Sequence, residues 1–115
     1  MGLIINFLNL TLAVLLLSPL HLLAAEVLQV SSPSLIQIGD NNRVYTVRIA
    51  CIKVDKSDER DAMKWLKSEL PRRRKVNLRP QSSDDGVLLA RVIPAGSKTD
   101  LSEGLFEAGL GKLTC

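Results

Sequence analysis

The chain has 115 residues, with 15 Lys and Arg against 12 Asp and Glu for a formal net charge of +3. That length leaves no room for a second sizeable domain. The single histidine, His21, lies in the N-terminal leader, so a metal or catalytic role for the two cysteines is a poor reading.

Residues 1–25, MGLIINFLNLTLAVLLLSPLHLLAA, contain no Asp, Glu, Lys or Arg, so every charged side chain follows Ala25. The apolar run 8–23, Pro19 and the Leu-Ala-Ala end read as a secretory signal peptide cut near Ala25. The usual basic start is missing, and Leu23 is large for its position before the cut. Residues 3–25 are also long enough, at about 20 residues, to remain as a membrane anchor. A buried core helix is the third alternative. Either of the first two sends residues 26–115 out of the cytosol to a periplasm, a lumen or the extracellular space, as one domain with one small core.

Residues 27–30 and 35–38 are short strand-like runs broken by Ser31, Ser32, Pro33 and Ser34. Gly39, Asp40, Asn41 and Asn42 are turn formers that tie the second run to the next as a hairpin. Residues 43–55, RVYTVRIACIKVD, alternate as one half-buried strand. Tyr45, Val47, Ile49 and Cys51 face one way; Val44, Thr46, Arg48, Ala50 and Ile52 face the other. Arg48 is the anomaly, a guanidinium in a β-branched run, which fits a cleft or a strand edge from which it can snorkel.

After Val54 the hydrophobic period becomes helical. Asp55 or Ser57 is placed to cap a helix whose first turn carries Asp58, Glu59 and Asp61. Ala62, Met63, Leu66 and Leu70 make its apolar face, Trp65 borders it, and Pro71 stops it. Met63 and Trp65 therefore read as core or core edge. Arg72, Arg73, Arg74 and Lys75 form the densest charge run, a solvated loop or a patch that steers towards an anionic surface. Val76 and Leu78 begin a fourth strand that Pro80 ends, residues 81–85 form a loop, and residues 87–93 form a fifth strand with Arg91 among apolar neighbours. Asp100 and Glu103 make a capping box for a short helix with Leu101, Leu105 and Phe106 on its apolar face. Gly109 suits a left-handed stop, with Leu110 packing back.

The order of three strands, helix, two strands, helix is compatible with a small barrel carrying helices on one side. Cys51 and Cys115 both follow the leader, and an oxidising compartment favours their pairing as a disulfide. The alternative is a buried thiol and a free one at a frayed end.

Taken together, VRIACIKVD, DERDAMKWLKSELP, KVNL, DDGVLLARVI and DLSEGLFEAGLGKL, in this order and spacing, resemble the staphylococcal nuclease (thermonuclease) family over nearly all the chain after Ala25. The resemblance implies an OB-fold five-stranded barrel with two short helices over residues 26–115. Family chemistry uses Ca²⁺ held by acidic oxygens, a carboxylate that activates water, and two arginines that stabilise charge on the phosphate. Arg48 matches the first arginine. The segment that supplies a metal ligand and the general base falls on Lys53, Val54, Asp55 and Lys56, with lysine at both carboxylate positions. The turn that supplies another metal ligand falls near Ser31, Ser32, Pro33 and Ser34, and the second arginine falls on Val87. Losing one oriented charge from such a site costs about 100-fold or more in rate, and here most are absent together.

The expectation is therefore a non-catalytic, exported, nuclease-like module that needs no cofactor, is monomeric, and binds or assembles with an anionic or protein partner; it meets a membrane only if residues 3–25 are retained. A second expectation is nucleic-acid phosphate binding through Arg48, Lys53, Lys56, Arg72, Arg73, Arg74 and Lys75. The few aromatic residues and an exported location weigh against it. The third is an active phosphodiesterase, opposed by the missing carboxylates.

Overall fold

The computed structural model describes residues 25–115, so the leader expected over residues 1–25 lies outside the described residues apart from Ala25. The described chain is mainly β, with a five-stranded sheet and two short helices. β1 (Glu26–Ser32), β2 (Leu35–Asp40) and β3 (Arg43–Ile49) form the expected antiparallel meander. Ser32 Oγ accepts from the backbone N–H of Ser34 and Leu35 to shape the first turn. Asn41 and Asn42 take left-handed φ of 56° and 66° between the paired Asp40 and Arg43, as a primed two-residue hairpin turn requires.

Val27 and Val30 both reach the core although they are three positions apart, because the pairing of β1 with β2 shifts register between Val27 and Gln29. In an unbroken strand they would face opposite sides. They join Ile36, Ile38, Val47, Ile49, Val76, Ala90 and Val92 from the sheet and Ala62, Leu66, Leu70, Leu101 and Leu105 from the helices in one buried cluster.

β3 does not continue to Asp55. It ends at Ile49, the chain turns at Ala50 and Cys51, and β4 (Ile52–Lys53) pairs with β7 (Lys112–Leu113) in a separate two-stranded sheet. Cys51 breaks the strand by taking φ 69°, a left-handed conformation that L residues adopt at a cost. Tyr45 accordingly lies at the exposed edge of the face assigned to the core, while Val47 and Ile49 are buried there.

A 3-10 turn (Lys56–Asp58) leads into α1 (Glu59–Glu69). Neither Asp55 nor Ser57 caps the helix: Asp58 holds the N-cap position, and no side chain accepts a hydrogen bond there. The 3-10 turn consumes the residues whose spacing suggested a cap. Ala62, Leu66 and Leu70 are buried and Trp65 packs at the core edge, as the helical stripe required.

β5 (Val76–Asp84) runs through Pro80 and meets β6 (Val87–Pro94) in a long hairpin. Pro80 ends nothing because β5 is an edge strand with a register shift between Pro80 and Ser82, where a missing N–H is tolerated. Asp85 and Gly86 form the turn, with φ of 49° and 77°. β6 lies between β5 and β3 and runs parallel to β3, giving the order β1-β2-β3-β6-β5; such a parallel pair needs the long crossover that α1 and β5 provide.

α2 (Leu101–Glu107) begins with Asp100 accepting from the Glu103 N–H. It ends with Gly109 at φ 75°, the Leu110 N–H donating to Leu105 O and the Gly109 N–H to Phe106 O, a Schellman stop. Phe106 is half exposed at 51%, so the buried face of this helix is Leu101, Ser102 and Leu105. Gly104 lies under the Trp65 indole: a Cβ there would fall 2.6 Å from the ring, so the helices touch through the absence of a side chain. Cys51 and Cys115 are joined as a disulfide with Cα atoms 4.9 Å apart.

Candidate functional site

Arg48 is exposed on the sheet face opposite the core. Its register neighbours are Leu35 on β2 and Leu89 on β6. It lines a recess of about 430 Å³ with Ser82, Asp84, Asp85, Val87 and Leu89. Ser82 pairs with Leu89 and Asp84 with Val87, so the β5–β6 hairpin carries hydroxyl and carboxylates to the strand beside Arg48. Among the described residues the one ion pair is Arg91–Asp100, which leaves the Arg48 guanidinium without a salt-bridge partner. Ser82, Asp84 and Asp85 were missed because Pro80 was read as a strand end. The Asp85-Gly86 pair between alternating runs was the available signal of a tight hairpin.

Arg91 stands two residues beyond Leu89 on the same face of β6 and has a different fate. Its Nη1 donates to Asp100 Oδ2 at 2.8 Å, and its side chain is 35% exposed against 5% for Asp100. Burial alone would raise the Asp100 carboxyl. The Glu103 N–H, the Ser102 hydroxyl and the Arg91 guanidinium together outweigh burial and hold it below the usual carboxylate range. The Ser102 hydroxyl donates to Asp100 Oδ1 at 2.7 Å. The same arginine donates from Nη2 to Cys51 Sγ at 3.4 Å, and Gln81 Nε2 lies 3.7 Å from that sulfur.

Lys53 and Lys56 are exposed, one on β4 and the other opening the 3-10 turn. Lys53 lies directly opposite Lys112, where like charges repel.

Arg72, Arg73 and Lys75 are exposed, but the backbone of this run is not a free loop. The Arg73 N–H donates to Val27 O, the Val27 N–H to Arg74 O, and the Val76 N–H to Ala25 O, while the backbones of Lys75 and Glu26 pair as an isolated antiparallel β-bridge. Arg73 turns the chain at φ 73°, and Arg74 Nη2 donates to Ala95 O at 3.0 Å. Val76, which follows the run, pairs with Pro94 at the far end of β6 from Leu89, the neighbour of Arg48. Five strand residues separate those positions, about 17 Å. The predicted basic residues therefore form separate groups rather than one track.

The Ca²⁺ of the resembled family would need several acidic oxygens in one place. Lys53 and Lys56 stand where the resemblance would need carboxylates, and among the described residues no three His, Cys, Asp or Glu side chains gather as a metal site. Asp84 and Asp85 share their recess with Arg48 and bring no third acidic side chain to it. The residues present do not fit the ion. No protein-family model and no curated protein matches the chain.

Among the described residues no helix is long and apolar enough to cross a membrane. The disulfide belongs to a non-reducing environment.

Proposed function

We propose that the chain is an exported, non-catalytic module of the nuclease-like OB type that grips a protein partner at the Arg48 recess. The barrel is supported by the order β1-β2-β3-β6-β5 and by the backbone bonds that bring residues 25–27 against residues 73–76, drawing the outer strands together at one end. Export is supported by the disulfide and by the charge-free stretch before Ala25.

The observation that carries the function is Arg48: an exposed guanidinium with no ion pair, in a recess that also holds Ser82, Asp84 and Asp85. One cation beside two carboxylates suits the mixed polar groups of a protein surface. Repeated phosphates would meet repulsion there, and the distant Arg72, Arg73 and Lys75 do not extend the site into a basic groove.

Incubating the full chain with single- and double-stranded DNA, with and without Ca²⁺, tests this. The expected result is no mobility shift and no cleavage. Metal-dependent cleavage abolished by Arg48→Ala, or a shift that weakens steeply with salt, overturns it. A pull-down from the exported fraction is expected to capture a protein that Arg48→Glu releases.

A further inference from the structure

We infer that the Cys51–Cys115 disulfide is a thiol–disulfide exchange site for a dithiol reductant, entered at Cys115 and arranged to release Cys51 as a thiolate. The two sulfurs are unequal. Cys51 is 7% exposed behind the end of β3, whereas Cys115 is exposed, so an incoming thiolate reaches Cys115. The buried sulfur is the one that faces donors. Arg91 splits its guanidinium, sending Nη1 to Asp100 and Nη2 to Cys51 Sγ at 3.4 Å, and Gln81 brings an amide nitrogen to 3.7 Å. A disulfide sulfur gains little from a guanidinium. A thiolate gains a great deal, and a leaving thiol whose pKa is lowered departs faster.

In the first step the reductant thiolate bonds to Cys115 Sγ, the Cys51–Cys115 bond breaks, and Cys51 takes its electron pair as a thiolate beside Arg91. The second thiol of the reductant, deprotonated, then attacks the reductant sulfur of the mixed disulfide and expels Cys115 as a thiolate, which takes up the released proton. The protein disulfide gains two electrons and the dithiol becomes a disulfide.

What opens is also laid out. Without the bond, residues 112–115 are held by the two pairs of β4 with β7, by the Thr114 N–H to Cys51 O bond of 3.0 Å and by the neighbouring α2. Two-stranded ribbons of this size are not stable alone, and Lys53 opposite Lys112 adds repulsion. Reduction therefore weakens the hold on β7. Arg91 from β6 is the charged group that meets Cys51, Asp100 at the start of α2 holds that guanidinium, and Lys53, two residues along the chain, pairs with Lys112. This inference stands whether or not Arg48 binds a partner.

The test measures reduction of the oxidised full chain by dithiothreitol at neutral pH under folding conditions. Arg91→Gln is expected to slow reduction about tenfold and Gln81→Leu about twofold to threefold. Destabilised variants reduce faster, so slowing is not a folding artefact. In Cys115→Ser, Cys51 is expected to be alkylated faster at neutral pH than in Cys115→Ser combined with Arg91→Gln. Glutathione trapping is expected to label Cys115. Unchanged or faster reduction in both variants, alkylation of Cys51 that Arg91→Gln leaves unchanged or speeds, or glutathione found on Cys51 each overturns the inference.

Discussion

Arg48 and Arg91 stand on adjacent strands, on the same face of one sheet, yet one is open and the other closed. Arg91 lies where α2 and the chain around Cys51 crowd the sheet, and it is held by Asp100 and directed at sulfur. Arg48 lies where only the hairpin tip of β5 and β6 approaches, and it remains exposed without an ion pair. A guanidinium removed from water must find acceptors, so the closed arginine is committed to structure and local chemistry. The open one keeps its hydrogen-bonding capacity for something outside the chain.

Substitutions on the two sides should differ sharply. Cys51→Ser with Cys115→Ser is expected to cost the most, about 4 kcal/mol for a loop of sequence separation 64, read by urea denaturation. On the closed side Asp100→Ala removes a helix cap, an ion pair and the Ser102 acceptor together, for a loss of about 2–3 kcal/mol. The pH dependence sharpens that result. Asp100 binds its proton less readily folded than unfolded, so its stabilisation is complete above the ordinary carboxylate value of about 3.9 and is lost as pH falls through its lower folded value. Asp100→Asn should flatten the acid limb of a stability–pH curve.

Gly104→Ala forces a methyl into the Trp65 ring and should cost about 1–2 kcal/mol, with a change in the near-UV signal of the only tryptophan. On the open side Arg48→Ala should change stability by no more than about 0.5 kcal/mol while abolishing partner capture. A large destabilisation by Arg48→Ala would erase the contrast between the two arginines.

Much of the fold was legible where the signal was local. Asn41 and Asn42 announced a hairpin, Ala62, Leu66 and Leu70 a helix face, and Asp100 and Gly109 the two ends of α2. Two local signals misled. Alternation carried the third strand past Cys51, because period alone does not register a residue that turns left-handed to meet another chain segment. Pro80 read as a stop, because its effect depends on whether its strand is an edge. The candidate site suffered accordingly: Arg48 was found as a charge in an apolar run, but Ser82, Asp84 and Asp85 were hidden in what looked like a loop.

From the amino acids alone follow the succession of strands and helices, the pairing of Cys51 with Cys115 in an oxidising environment, and the oddity of Arg48. These follow from period, turn chemistry and composition, which act between near neighbours or by count. The parallel seating of β6 beside β3, the capture of Arg91 by Asp100, and the freedom of Arg48 were decided only by the tertiary structure. Strand order and register set which distant side chains become neighbours, and burial then determines whether each charge is paired inside the protein or left facing water.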